Sequence, residues 1–397
     1  MPLPPDRPLA SRRPSERPIS SGRSPAGFHA ADLPARAAVL KGRGAVLDPA
    51  NRFDPLHRQK EDDGWWREDD PESVVTVLSP EQARTIISRN SSPDIPFDRS
   101  INAYRGCEHG CVYCYARPSH AFIDLSPGLD FETRITFKPN AADLLRKELA
   151  KPGYRVQPIA MGTNTDPYQP VERRLGITRA LLQVLLEHEH PVTITTKGGA
   201  LERDHDLLAA LAERNLVSVA ISITTLDNEL KRVMEPRAAG PAKRLAVVRD
   251  LVRIGVPVSV LAAPVIPFIN DDELEAIIVA AAAAGARSAH YILLRLPLEV
   301  KDMFRAWLDA HFPERARRVM SVITDMRGGK DYDARFGVRM RGEGVYAQLL
   351  ERRFAAVLRK AGLAARDSLA LDCTRFRVPG RRDAHAAAPP SPQMSLF

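Results

Sequence analysis

From Arg99 onward the chain alternates short β-branched runs with longer stretches of helical period, and this alternation confines it to an α/β fold built on a parallel sheet. The runs that predict strands lie at 100–105, 156–162, 191–196, 216–224, 257–263 and 288–294, and the periods that predict helices lie at 141–150, 177–188, 204–215, 242–254, 272–284 and 300–311. A series of six βα units with crossovers of this length predicts a partial (β/α)6 barrel of the TIM type with parallel strands. A doubly wound sheet is the competing arrangement, but no glycine-rich dinucleotide fingerprint follows any of the runs.

A chain of 397 residues has room for a sizeable core and for additional segments. Its 44% hydrophobic and 27% charged residues exclude collagen-like, coiled-coil and wholly disordered chains. The longest apolar stretch, 276–284, is short and alanine-rich, so no membrane span is expected. Residues 1–42 are rich in Pro, Arg and Ser and are expected to be a disordered basic tail. Residues 43–98 form a bridging segment, in which Trp65 and Trp66 would dock on the globular part and the arginines and asparagine read as solvated. The barrel core is expected at 99–297, a helical C-terminal extension at 298–377, and a flexible tail at 378–397. No export signal is evident, and the crowding of three of the four cysteines into 107–114 points to ligands in a reducing cytoplasm rather than disulfides.

In a barrel of this kind the chemistry sits where strands end and loops begin. Those ends are polar here: Arg105-Gly106-Cys107, Thr163 to Asp166, Thr195-Thr196-Lys197, Ser222 to Thr225, and Arg295. After the first strand runs INAYRGCEHGCVYCYARP, where Cys107, Cys111 and Cys114 follow the spacing C-x3-C-x2-C. Three thiolates on so short a loop can converge on one soft-metal centre, and a cubane iron–sulfur cluster takes one thiolate per iron. Three ligands leave one iron open to chelate another molecule. The competing readings are a structural zinc site, with His109 or a distant residue as fourth ligand, and a set of buried free thiols. No second zinc knuckle accompanies the motif, since the remaining cysteine is Cys373.

The cysteine spacing, Tyr113 just before the last cysteine, and the position after the first strand of a βα series resemble the radical S-adenosylmethionine (SAM) superfamily. More narrowly, GTNTDPYQP (162–170), ITTKG (194–198), ISITTLD (221–227) and MEPRAA (234–239) are similar to the spore photoproduct lyase branch. GRGAVLDPANRFDP resembles a bacterial subfamily near it labelled DNA-repair photolyase. The resemblance implies a [4Fe-4S] cluster on Cys107, Cys111 and Cys114. It also implies SAM bound at the open iron and cleaved by one electron to methionine and a 5′-deoxyadenosyl radical. Tyr113 and Tyr115 would pack against the cluster or the adenine. Lys197 and Ser222 would hold the methionyl carboxylate and ribose, with Thr163 or Thr165 contributing, and Arg237 would reach the carboxylate.

The implied partners are a nucleic-acid substrate, which the net charge of +8 also suits, and a reductase or flavodoxin-type electron donor. RNA, a protein or a small molecule is the alternative substrate, and an iron–sulfur or zinc DNA-associated factor is the non-enzymatic alternative. Two departures from the branch stand out. The glycine-glycine-glutamate element common after the second strand is replaced by GTNTD, and that stretch lacks the extra cysteine with which the lyase returns a hydrogen atom to its product. Cys373, in LDCTRFRVPG, reads as a buried small residue.

Residues 343–362 predict an amphipathic helix with Val345, Leu349, Leu350, Phe354 and Leu358 apolar, opposite a solvated face of Glu351, Arg352, Arg353 and Arg359. The terminal Gln393-Met394-Ser395-Leu396-Phe397 resembles the motif by which bacterial replication and repair proteins dock on the DNA sliding clamp. Leu396 and Phe397 would fill an apolar pocket, Gln393 would add a polar anchor, and the tether before them would reach about 20 Å. A peptide ending in QMSLF is therefore expected to bind the clamp and to weaken when Leu396 and Phe397 become Ala. Undetectable binding at high micromolar peptide would refute this docking.

Overall fold

The computed structural model describes residues 40–53, 74–365 and 370–380. Trp65, Trp66, most of the predicted basic tail and the predicted clamp anchors Gln393, Leu396 and Phe397 lie outside them. The strands are β1 (Val77–Pro80), β2 (Ile87–Arg89), β3 (Arg99–Ile101), β4 (Tyr104–Arg105), β5 (Arg134–Phe137), β6 (Ile159–Met161), β7 (Val192–Thr196), β8 (Val217–Ser222), β9 (Val258–Val265) and β10 (Ser288–Leu293). The helices are α1 (Leu129–Thr133), α2 (Ala141–Leu149), α3 (Glu172–Leu175), α4 (Ile177–Glu187), α5 (His205–Ala212), α6 (Asn228–Met234), α7 (Pro241–Arg253), α8 (Leu274–Ala283), α9 (Val300–His311), α10 (Pro313–Asp325) and α11 (Gly344–Ala361).

Seven strands form the main sheet in the order β10-β9-β8-β7-β6-β3-β2. Every pair is parallel except β2–β3. From β3 to β10 the order follows the chain without reversal, whereas a doubly wound sheet reverses at its switch point. The architecture is thus the expected partial barrel. Its β strands are buried because α4, α5, α7 and α8 lay leucines, isoleucines and valines against them in one continuous core.

Three differences from the sequence reading have local causes. The first strand is split: 99–101 stays in the main sheet, while 104–105 leaves it to pair with β5 in a second, three-stranded sheet. That departure swings the cysteine loop out over the strand ends. The second strand shrinks to 159–161, since Pro158 offers no N–H and Gly162 turns away at φ +86. Helix α10, opened by Pro313, was not anticipated.

The C-terminal helix occupies its expected place, but its buried face is Ala347, Leu350, Phe354, Val357 and Leu358, with Val345 and Leu349 exposed. Its Arg353 is not solvated; it donates to both carboxylate oxygens of Glu275 at 2.7 Å on the neighbouring helix α8. Among the described residues no helix is long and apolar enough to cross a membrane.

The bridging segment also departs from its solvated reading. Arg43 is buried and donates to the Glu132 carbonyl at 3.1 Å, Asn51 donates to the Ala121 carbonyl, and Arg52 pairs with Glu299 at 2.9 Å. At its centre the Gly44 and Ala45 N–H groups donate to the two oxygens of the Glu132 carboxylate at 2.9 and 2.8 Å. A side chain at Gly44 would collide with the Gly110 carbonyl in the cysteine loop, 1.8 Å from its Cβ. The same carboxylate takes the Arg117 guanidinium at 2.5 Å, with both side chains fully buried.

Removing one member of such a pair leaves an uncompensated buried charge, which costs about 3–5 kcal/mol. Glu132→Gln is therefore expected to lower the stability of the folded chain by that order and to loosen the 43–46 segment, read by thermal melting and by amide exchange of Gly44 and Ala45. Melting and exchange unchanged from the parent chain would show that the pair does not hold this region.

Candidate functional site

The cysteine loop is shaped by two glycines in the left-handed region. At Gly106 (φ +80) a Cβ would stand 2.8 Å from the Phe131 carbonyl, and at Gly110 (φ +66) it would stand 2.7 Å from the Glu132 carboxylate. Between and beyond them the chain turns on the Gly110 N–H to Cys107 carbonyl, Cys114 N–H to Cys111 carbonyl and Arg117 N–H to Cys114 carbonyl bonds. Arg117 closes the loop from below, donating to the carbonyls of Cys111, Pro127 and Gly128. The Val112 N–H reaches the Met234 carbonyl at 3.1 Å, tying the loop to the MEPRAA segment.

Burial raises the pKa of all three thiols; the Asp166 carboxylate adds to this at Cys107 and the Glu235 carboxylate adds to it at Cys111. The thiols are close enough to influence one another electrostatically. Three neighbouring thiols on one loop are donors that a multi-iron cluster can take, each thiolate going to a different iron. His109, the candidate fourth zinc ligand, turns its Nδ1 to Asp166 at 3.3 Å. The three thiols of Cys107, Cys111 and Cys114 are a donor set that fits a cluster.

Around the loop the strand ends are organised by three side chains that the sequence reading did not assign to the site. Asn102, at the break between β3 and β4, accepts at its Oδ1 from the Asn164 N–H at 3.0 Å and the Thr165 N–H at 3.3 Å, and it exchanges hydrogen bonds with the Thr163 hydroxyl. The Thr165 hydroxyl donates to the Tyr104 carbonyl at 3.3 Å. Asp166 accepts from the Thr196 hydroxyl at 2.6 Å and the Lys197 N–H at 2.7 Å. Burial alone would raise the Asp166 pKa, but the His109 ring and these hydrogen bonds outweigh it and hold the carboxyl at about 2.

Glu235, the third, is wholly buried and accepts from Thr224 at 2.6 Å, from Tyr113 and from Arg244. Burial again opposes its ionisation, and the Arg244 and Lys197 charges with the hydrogen bonds hold it at about 2. The Lys197 ammonium stands 4.0 Å from Glu235 and 5.9 Å from the centre of the Tyr113 ring. Lys197 and Tyr113 therefore meet, through Glu235, beside Cys111.

The other expected contacts are distributed around the same mouth. Ser222 ends β8 and is buried, its carbonyl taking Arg244 at 2.9 Å. Tyr115 donates its hydroxyl to the Thr163 carbonyl. Arg237 pairs with Glu108 in the cysteine loop at 3.2 Å, so its guanidinium is already engaged. Cys373 lies elsewhere: its neighbours Asp372 and Arg377 bind the carbonyls of Asn215 and His188, which precede β8 and β7 at the opposite end of the sheet. The sequence signal for Glu235 was its place in the quoted MEPRAA run, but nothing in the spacing showed that its carboxylate turns inward while Arg237 turns to the loop.

Comparisons with known proteins agree with this geometry. The family model of the radical SAM superfamily matches residues 101–281. An uncharacterised protein of Mycobacterium tuberculosis strain H37Rv is 39% identical over 226 residues, covering 56% of this chain and 66% of that one. The chain thus spans just under two thirds of the length of that relative. An uncharacterised protein of Methanocaldococcus jannaschii is 26% identical over 214 residues, covering 54% of this chain and 76% of the other. Among solved structures, spore photoproduct lyase complexed with dinucleoside spore photoproduct aligns with a TM-score of 0.50 and 14% identity, over 71% of this chain and 79% of that one, a likeness of fold. A domain of this family works with a [4Fe-4S] cluster and SAM, the pair of cofactors that the cysteine loop and its polar surroundings fit. Residues 101–281 match the radical SAM superfamily model, and over this stretch the chain is similar to that family.

Proposed function

We propose that the chain is a radical SAM enzyme that cleaves SAM reductively and acts on a nucleic acid. The observation that carries the first half is the buried three-thiol loop at the strand ends, with Lys197 and Tyr113 joined beside Cys111 by Glu235. The chemistry the bound cluster supplies is one-electron cleavage of the SAM sulfonium, with a reductase or flavodoxin-type donor as the electron source.

The chain's own residues bind and orient. Lys197, backed by the negative Glu235, offers an ammonium to the methionyl carboxylate from the end of β7, and Ser222 stands at the end of the adjacent β8. Tyr113 is fixed by Glu235 and Thr224, so its ring is a rigid wall. Tyr115 closes the mouth towards β6, where Asn102 holds Thr163 and Thr165 in place for contact with the cofactor. Arg237 reaches the carboxylate only by exchanging its Glu108 partner. The core at 99–297, with the bridging segment and helical extension against it, is the proposed unit of activity, working in a reducing cytoplasm.

The nucleic-acid half is supported by the net charge of +8 and by the fold shared with a lyase solved with a dinucleoside. A base must leave its stack to meet a radical in such a mouth, and damage lowers that cost. The branch's hydrogen-returning cysteine has no counterpart here, because Cys373 is at the far end of the sheet. The proposed reaction on the nucleic acid is therefore one that does not end in hydrogen return from a thiol of this chain.

Anaerobic reconstitution with iron and sulfide, then reduction in the presence of SAM, is expected to release 5′-deoxyadenosine, and a Cys111→Ala chain is expected to release none. A fully loaded cluster that leaves SAM intact with damaged and undamaged DNA present would refute the reading. Lys197→Met is expected to weaken SAM binding tenfold or more, about 1.4 kcal/mol, while iron content and cluster absorption stay at the parent values. Unchanged SAM affinity would remove Lys197 from the cofactor site.

A further inference from the structure

Arg295 lies two residues beyond β10, on the rim of the same mouth, and neither the cluster nor the proposed SAM contacts use it. Its guanidinium sits 4.7 Å from the centre of the Tyr115 ring, the residue directly after the last cysteine. One terminal nitrogen donates to the Tyr332 hydroxyl at 3.3 Å, the other meets the Met340 thioether at 3.9 Å, and the Nε is buried with no partner among the described residues. Among the described residues no carboxylate stands within ion-pair distance of it.

The other arginines withdrawn from water here are matched. Arg117 has Glu132, Arg244 has Glu235 and Arg339 has Asp94, while Arg327 has the carbonyls of Val338 and Leu294. The surroundings deepen the contrast. Arg327 and Arg339 belong to the same patch: the Arg295 charge bears on Arg327, and both Arg295 and Arg339 bear on Asp94. Asp94 is committed to Arg339 at 2.6 Å and to the Gly337 N–H at 2.8 Å. Asp333, the other carboxylate near Arg327, is committed to Arg335 at 2.6 Å. Positive charge is in local excess at a place partly shielded from water, where an unmatched cation is costly.

We infer that Arg295, set between Tyr115 and Tyr332, is the anchor of an anion subsite for a phosphate group of the substrate. A guanidinium presents a planar fork of donors, and the one here has an unused Nε and only weak acceptors on its terminal nitrogens. A phosphate offers several oxygens to such a fork and tolerates the further cations behind it, Arg327 and Arg339. The subsite faces the mouth from the β10 side, while Lys197 faces it from β7, so the two cations serve different anions. This assignment rests on the proposed function and names the group by which the substrate is held. The phosphate is either a diester of a nucleic-acid backbone or the phosphate of a free nucleotide.

The test is fluorescence anisotropy of the reconstituted full chain with a labelled single-stranded DNA twelve nucleotides long, over a series of salt concentrations, with inorganic phosphate and thymidine 5′-monophosphate as competitors. Arg295→Gln is expected to weaken the oligonucleotide at least fivefold and to reduce the salt slope by about one. Arg295→Lys is expected to recover part of the loss. Arg253→Gln, on an exposed side chain of α7, is expected to bind as the parent chain does. Tyr332→Phe, which removes only the hydroxyl on one terminal nitrogen, is expected to weaken binding about twofold with an unchanged thermal midpoint, and so separates loss of the subsite from loss of the fold.

Competition by the mononucleotide in the parent chain but not in Arg295→Gln would identify a free nucleotide as the source. Absence of competition, with the oligonucleotide still dependent on Arg295, would identify the backbone. Equal affinity and salt slope in the parent and Arg295→Gln chains, no binding by the parent chain, or weakened SAM binding with unchanged oligonucleotide binding would each overturn the subsite. An Arg295-dependent oligonucleotide complex that does not cleave SAM would instead refute the proposed function and leave the subsite standing.

Discussion

The buried Glu132–Arg117 pair is the interaction on which the site's architecture depends. A loop bearing three cysteines within eight positions has almost no secondary structure of its own, so its shape must be imposed from outside. Arg117 imposes it by gathering the carbonyls of Cys111, Pro127 and Gly128, and Glu132 supplies the countercharge that permits a guanidinium to sit there without water. The second oxygen of that carboxylate, with the first, receives the Gly44 and Ala45 N–H groups, so a segment from more than sixty positions upstream becomes the outer wall of the loop. The absence of side chains at Gly44 and Gly110 is what lets the two backbones meet.

A second network sets the chemistry of the mouth. Glu235 and Asp166 are both buried and both held in the ionised form, by Arg244 and Lys197 in one case and by His109 with hydrogen bonds from β7 in the other. Each therefore acts as a fixed negative charge over the ordinary pH range. Glu235 leaves Lys197 near it without a tight pair, since 4.0 Å is a loose contact, and the proposed carboxylate contact relies on that looseness. Arg244, drawn fully into the Glu235 pair, cannot. The distinction between the two cations follows from distance and burial rather than from residue type.

Much of this was legible in the chain. The cysteine spacing announced a soft-metal centre, and the polar ends of the runs at 163–166, 195–197 and 222–225 marked one rim of a barrel, because strands of a parallel barrel all end on the same face. What stayed hidden were the groups whose role depends on a long-range partner. Asn102 looked like part of a strand, yet it ends one and holds the GTNTD turn sixty positions away. Arg43 and Arg353 looked solvated, because an arginine's surroundings are not written in its neighbours along the chain; one lies under the cysteine loop and the other across α8.

The sequence by itself determined the period of the elements, their order, and the kind of ligands on the loop, because hydrophobic spacing and thiol spacing are local properties. Only the tertiary structure decided which charges pair. It turned Glu235 inward and gave Arg237 to Glu108, sent Cys373 to the far end of the sheet, and left the Arg295 Nε without a hydrogen-bond partner among the described residues. The physical reason is that pairing is settled by distances of a few ångströms between residues tens to hundreds of positions apart, and those distances exist only once the sheet has brought its strand ends together.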